Sequence, residues 1–328
     1  SPPAADSFIT QKRVSIRVNR QRAIATLEIA CMLNVPTQLS TDRKTRSKQR
    51  VNIPIISKVS LAPGVRRIDI HTEVDNTAKD HRLRVHFPAP FSVNSAEHDG
   101  HFEVVSRPLG LPQAGEKWVE LPRPETHQGA FTTISNGKIG ITIANRGLPE
   151  VEVTPGAPSE IALTLLRCIG WLSRDDMTSR QGHAGPGFET PDAQLPGKWS
   201  FNYAIIPHAG GWHNSYQPAF SFQAGLRAVE TAVHPGGLSA SGSFVSASPA
   251  EFIITAVKAA ENGKGWLVRG YNITSDPITL RLKPFRRFDR AAQVNLAEKE
   301  LVPLEWDENG SVAVPGKGHE VISVMFFE

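Results

Sequence analysis

Only two cysteines, Cys31 and Cys168, occur in 328 residues. Each lies in an apolar, strand-like run, and two cysteines so far apart do not build a disulfide framework. Free, buried thiols are the expectation. They fit a reducing compartment, and a cytoplasmic location is expected. Long hydrophobic runs are also missing. Nothing approaches the ~18–20 apolar residues of a membrane span, so no membrane partner is expected. No secretory signal pattern precedes Phe8. No internal repeat is visible, and no helical pattern exceeds two turns. The short signatures G-x-x-x-x-G-K-[ST], G-x-S-x-G and H-E-x-x-H are absent. Gly182-His183-Ala184-Gly185-Pro186-Gly187 has the glycines of a phosphate loop but not its mechanics. Pro186 removes an amide, and no helix follows to receive an anion.

What is present is charge of uneven distribution. The net charge is +4, yet residues 1–90 hold 16 Lys and Arg against 7 Asp and Glu. The densest run is Asp42–Arg50, DRKTRSKQR. A nucleic-acid surface calls for such a patch to be interleaved with aromatics or set on a recognition helix. This run has neither, so nucleic acid is not expected as a partner. It reads as a solvated loop between strands, or as a patch that meets an acidic surface of another domain.

Gly 26 and Pro 25 are scattered among short apolar runs, which suits many turns between strands. Residues 1–10 read as a flexible leader. Strand patterns follow at Val14–Val18, Ala23–Val35, Val51–Leu61 and Val65–Val74, and Leu83, Val85 and Phe87 alternate up to Pro88. Residues 88–130 show little periodicity and are expected to drape over a sheet. Phe131–Ile134 and Lys138–Asn145 flank Asn136-Gly137, a hairpin signal. Strands are expected at Ile161–Ile169 and Trp199–Ile206. Phe220–Val229 fits one short helix or a strand. Val233–Ser243 has linker composition. Beyond it, short strands recur at Phe252–Val257, Gly265–Tyr271, Ile278–Leu282, Arg290–Val294, Val312–Val314 and Val321–Phe327. The expected fold class is all-β. A large unit, 1–235, needs two packed sheets; a small β-sandwich, 236–328, follows it.

One stretch stands apart. Between the runs Ile161–Ile169 and Trp199–Ile206 lie roughly thirty polar, glycine-rich residues carrying Arg174, Asp175, Asp176, Arg180, Gly182, His183 and Glu189. Ordered loops longer than about 12–15 residues are uncommon and often functional. Adjacent Asp175 and Asp176 face opposite ways on a strand, so they are not a ready acid/base pair; Glu189 and Asp192 are alternatives as partners. A charge network of the aspartates with Arg174 and Arg180, pinning the loop, is the simpler reading. The histidine pairs His81/His86 and His208/His213 lack the spacing that aims two imidazoles at one metal.

The segment LTLLRCIGWLSRDDMTSRQGHAGPGFETPDAQLPGKWSFNYAIIPH (Leu163–His208) resembles the C-terminal half of bacterial α-mannosidases of glycoside hydrolase family 38. So do Asp42–Pro88, ITIANRGLPEVEV (Ile141–Val153) and EFIITAVKAAENGKGWLVRGYN (Glu251–Asn272). The resemblance covers the chain from about residue 13. It implies a large two-sheet β-supersandwich, galactose-mutarotase-like, whose first strands are missing, followed by a small C-terminal β-sandwich. It also implies that the nucleophilic Asp, the acid/base group and the ligands of a catalytic zinc lie on an N-terminal catalytic domain that this chain does not contain. No catalytic residue, zinc ligand or other metal site is then expected here, and the chain alone should be inactive. By the same resemblance Arg174, Asp175, Asp176, Arg180, Gly182 and His183 form a loop beside the substrate. The expected partners are α-mannosides, through the intact retaining enzyme, and the chain's own catalytic domain; a homo-oligomer stays open. Two other readings remain: a stand-alone carbohydrate-binding module, with Trp118, Trp199, Trp212 and Tyr216 as platform candidates, and a structural or assembly module.

Overall fold

The computed structural model describes residues 10–21, 24–237, 239–263 and 265–328. The leader assigned to residues 1–10 lies outside them except for Thr10. Among the described residues the fold is all-β apart from one short helix and two 3-10 turns. It divides into two compact units. The first takes the described residues up to His98 together with Ser106–Leu226; the second takes Asp99–Val105 and Arg227–Glu328.

The first unit is built on a nine-stranded sheet. Its strands, in spatial order, are Thr10–Gln21, Ile24–Pro36, Arg50–Leu61, Ile68–Asn76, Gly197–Ala209, Ile139–Asn145, Phe131–Ser135, Ser95–Asp99 and Val104–Pro108. One buried face demands a period of two, and Ile68–Asn76 shows it most fully. In Ile68–Asn76 the residues Ile70, Thr72, Val74 and Asn76 are buried, and their neighbours are less so. Register carries this face across the sheet: Val18 lies opposite Leu27, Leu27 opposite Val59, Val59 opposite Ile70 and Ile70 opposite Tyr203.

A four-stranded sheet packs on this face, in the order Arg82–Pro88, Glu160–Arg167, Glu150–Thr154 and Glu125–His127. Its inner rows pair Ile161 with Phe87 and Val153, and Leu163 with Val85 and Val151. These side chains join Ile70, Val74, Ile143 and Tyr203 in one core. Its outer side is covered by ion pairs, among them Arg82–Glu125, Arg84–Glu152 and Arg82–Glu150 at 3.3 Å. That cover explains why Ile161–Leu166 is buried on both faces.

The segment 88–130 does more than drape: Ser95–Asp99 and Val104–Pro108 extend the large sheet, and Glu125–His127 edges the small one. The ambiguous run near Phe220 is a helix, Tyr216–Ala224, starting four residues earlier than read. Pro218 falls in its first turn, where a missing amide costs nothing. Gly225, at φ +66°, ends it. Among the described residues no helix is long and apolar enough to cross a membrane.

The second unit is a β-sandwich. A three-stranded sheet, Val245–Ser248, Ile278–Pro284 and Val312–Gly316, faces a five-stranded one, Phe252–Ala259, Gly265–Asn272, Val321–Phe327, Arg290–Val294 and Glu300–Leu304. Leu280, Leu282, Val312 and Val314 from one sheet meet Phe252, Val268, Val324 and Phe326 from the other.

Candidate functional site

The long loop of the first unit is an ordered lobe with a zipped neck. Leu172 N donates to Phe188 O (2.9 Å), Thr190 N to Gly170 O (2.9 Å) and Ile169 N to Ala193 O (3.1 Å). Trp171 and Glu189 form a backbone bridge across the same neck, and Asp192 sits in the 3-10 turn Pro191–Gln194. A polar cluster below the neck fixes it to the sheets. Asn76, buried at the end of its strand, donates through Nδ2 to Gln194 O (3.0 Å) and Leu195 O (2.8 Å). Gln194 Nε2 donates to Asp80 Oδ1 (2.7 Å), and Asp80 N donates back to Gln194 Oε1 (2.8 Å). Each buried polar atom of this set therefore has a partner, as burial requires.

Inside the lobe, Ser173 is the hub. Its Oγ accepts from Ala184 N (2.9 Å) and Gly185 N (3.2 Å), and His183 Nδ1 lies 3.3 Å away. Two backbone donors occupy this oxygen, so it is a structural acceptor and not a nucleophile. Asp176–Met177 and Arg180–Gln181 make a two-rung hairpin. Gly182 follows at φ +76°, a conformation that suits glycine. A strap crosses the hairpin: Leu121 N donates to Ser179 O (2.8 Å), and Glu120 bridges to Arg180.

The two aspartates have different surroundings. Asp176 receives a fork from Arg174, Nε at 2.7 Å and Nη2 at 2.8 Å, and an ion pair from Arg43 at 3.1 Å. The Arg174 guanidinium, with Arg43 adding to it, holds the Asp176 carboxyl below the ordinary carboxylate range. Arg43 also lies over the Trp171 ring, 5.7 Å from its centroid. Asp175 is 64% exposed and meets His183 Nε2 at 3.8 Å. Arg180 contacts Glu120 Oε2 (3.5 Å) and His183 O (3.4 Å), and its Nε is buried without a partner among the described residues.

All six residues singled out from the sequence thus belong to one lobe. The sequence reading did not find Arg43, Ser173, Glu120 or the Asn76–Gln194–Asp80 anchor. Arg43 lies in the basic run 42–50, which is not simply solvated: Arg46 also turns inward, toward the carbonyls of Pro36 and Lys79 (3.2 Å each) and of Asp80. No local spacing could reveal a pairing of residue 43 with residue 176. Of the four platform aromatics, Trp118 is exposed beside the strap. Trp199 bonds Leu195 O through Nε1 (2.9 Å); Trp212 stacks on His213 and meets the buried Tyr216 ring edge to face, centroids 5.7 Å apart.

Neither cysteine is bridged. Burial pushes the Cys168 thiol up to about 11, so it does not form a thiolate with His81, whose Nε2 is 4.0 Å away. Among the described residues no three His, Cys, Asp or Glu side chains are placed to hold a metal ion.

The family of C-terminal domains of the family 38 glycosyl hydrolases matches residues 13–189, and the C-terminal β-sandwich domain of the same family matches residues 251–324. A protein of Halalkalibacterium halodurans named "Putative mannosylglycerate hydrolase" is 30% identical over 95% of this chain and 34% of its own length. The crystal structure of an α-mannosidase from Enterococcus faecalis V583 superposes with a TM-score of 0.78 at 28% identity, over 96% of this chain and 35% of that one. A second Enterococcus faecalis structure, of a protein in glycosyl hydrolase family 38, gives the same TM-score at 26% identity, over 96% and 37%. The chain spans about a third of the length of each of these relatives.

Proposed function

The chain belongs to glycosyl hydrolase family 38, and from that premise we propose that it is the β-rich support of an α-mannoside hydrolase, presenting the lobe 171–189 to the pocket of a separate catalytic domain. The observation that carries this reading is the division of labour between the two aspartates. Asp176, locked by Arg174 and Arg43, holds the lobe in shape. Asp175 and His183 are left facing outward, side by side. A carboxylate accepts from sugar hydroxyls, and a ring N–H donates to them. Arg180 and Gly182 set the turn that brings His183 to Asp175.

The lobe is a poor candidate for the hydrolytic chemistry itself. Retaining glycoside hydrolysis needs two carboxyl groups about 5–5.5 Å apart, one as nucleophile and one as acid/base. Asp176 is committed to arginines and is not free to act as the partner carboxylate of Asp175. In this reading the covalent glycosyl intermediate forms on the catalytic domain. Zinc needs three or four nitrogen, oxygen or sulfur donors. The lobe's donor set does not fit it, so any zinc of the intact enzyme belongs to that other domain. The substrate class is an α-mannoside, with mannosylglycerate included on the strength of the Halalkalibacterium relative's name.

The test is Asp175→Asn in a chain that also carries the catalytic domain. KM for an aryl α-mannoside or mannosylglycerate should rise about tenfold, with kcat changed far less, the signature of lost uniform binding. An unchanged KM removes the substrate-side role. Turnover of either substrate by the 328-residue chain alone would contradict the division between support and catalysis.

A further inference from the structure

The geometry points to a second sugar subsite on the strap that crosses the lobe, with the indole of Trp118 as its floor. The substrate class it selects is an α-linked mannose disaccharide or a longer chain, in which another pyranose ring lies beyond the bond to be cleaved. The inference rests on the lobe's place beside the substrate and adds to that reading a residue from outside the lobe.

The strap is the segment 110–121, and all of its residues are exposed. It is tied to the lobe at one end. Leu121 N donates to Ser179 O (2.8 Å), and Glu120 meets Arg180 both through a backbone bridge and through an ion pair at 3.5 Å. Trp118 stands two residues before that tie. Its own N donates to Gly115 O (3.0 Å), which closes a tight turn. The five-membered side of the indole then lies against Gly115, where a Cβ would stand 3.1 Å from both Cδ1 and Nε1. Glycine at that position lets the ring lie down on the backbone. The ring is backed there, yet Trp118 remains 52% exposed. Tryptophan is highly buried on average, so an indole fixed in place and left half open is informative.

A pyranose ring presents one face of C–H groups and a rim of hydroxyls. The open part of the indole suits the C–H face, since an aromatic side chain joins a large apolar surface to a polar handle. The rim calls for acceptors, and Glu120 supplies them. Its side chain is 56% exposed, and the long 3.5 Å contact with Arg180 leaves most of the carboxylate's lone pairs free for hydroxyl donors. One apolar surface with a few placed polar groups is the usual make-up of a small-ligand site. Mannosylglycerate carries a three-carbon acid where a mannobiose carries its second ring, so it has nothing to lay on the indole. Trp118 thus discriminates between two α-mannosides that Asp175 and His183 do not tell apart.

The test uses a chain that also carries the catalytic domain, with the α-1,2-, α-1,3- and α-1,6-linked mannobioses as substrates. Trp118→Ala should raise KM about tenfold for the mannobiose that is turned over best, the loss expected for one ring stack. The inhibition constant of methyl α-mannoside, which has no second ring, should not change. Trp118→Phe, which keeps an aromatic face, should recover most of the loss. The Leu121 amide should exchange at the same rate in all three chains, because the strap stays tied to the lobe. An unchanged KM for mannobiose in Trp118→Ala overturns the inference, and so does an intact enzyme that turns over none of the three disaccharides. Equal weakening of methyl α-mannoside, or faster Leu121 exchange without rescue by Trp118→Phe, also overturns it, by assigning the ring to the strap's structure. A KM raised by Trp118→Ala but not by Asp175→Asn keeps this subsite and removes only the role of Asp175; the opposite pattern keeps Asp175 and removes the subsite.

Discussion

Strand for strand, the second unit sets three against five and the first sets four against nine. In the second, the inward residues of both sheets are covered, from Leu280 and Val314 on one side to Val324 and Phe326 on the other, all fully buried. In the first, the same alternation runs past the edge of the covering sheet, and Ile16, Val18 and Leu61 are left in solvent. The patterning rule is obeyed equally in both; only the supply of a second layer differs. The inward face is therefore covered throughout in the small unit and only in part in the large one.

The largest effect expected from this contrast is in the closed core. Phe326→Ala should cost the second unit about 3–5 kcal/mol in urea unfolding. Leu61→Ala, at the open end of the first, should cost less than about 0.5 kcal/mol, as at other surface sites. Comparable losses would show that the open end is already covered.

Acid should separate the units next. His98 is buried in the first unit with Nδ1 2.8 Å from Thr132 Oγ1, and burial, with the nearby Arg107 and His127 cations, lowers its pKa to about 3. The unfolded chain takes up a proton at 6.5 that the folded chain refuses. Stability is thus full above 6.5 and falls by up to about 1.4 kcal/mol per pH unit as the pH drops toward 3. Burial also lowers His81 and His208 of this unit. The second unit's His101, His234 and His319 are exposed. Its lowered carboxyl, Glu298 beside Lys258, contributes stability that is lost only below 4.5. Hydrogen exchange between pH 6.5 and 4.5 should therefore show the first unit opening first, and His98→Gln should flatten the slope. Earlier opening of the second unit would reverse the comparison.

Confined to the lobe is the effect of Asn76→Ala. It strands two carbonyls at the neck and should cost about 1–3 kcal/mol locally, with faster exchange at 169–195 and little change elsewhere. Exchange that stays slow there would mean that the zipped neck holds without its anchor.

The legible parts of the fold were those where one face is buried. Arg50–Leu61, Gly265–Asn272 and Val321–Phe327 match the alternation in the sequence almost to the residue. Among the unread strands, Ser95–Asp99, Glu125–His127 and Glu300–Leu304 carry polar residues or sit at sheet edges, where pairing and not patterning makes them strands, whereas Glu150–Thr154 alternates fully inside its sheet and was passed over because it is only five residues long. In the candidate site, the sequence brought Asp175 and Asp176 forward together, but only Asp176 lies in a strand. Which one was locked did not follow, because that depends on Arg43, brought in from a loop 133 residues earlier in the chain.

The pairing of Ile68–Asn76 with Gly197–Ala209 has a consequence for synthesis. Thr72 and Tyr203, hydrogen-bonded across it, are 131 residues apart in sequence. At translation rates of about 5–20 residues per second, the first four strands wait on the order of ten seconds for the fifth to be made. Through that interval the edge of Ile68–Asn76 that Gly197–Ala209 will pair with stays open, and non-local pairing of this kind is slow to form even afterwards. The order of the strands thus fixes when the sheet can form: it is begun early and closed late.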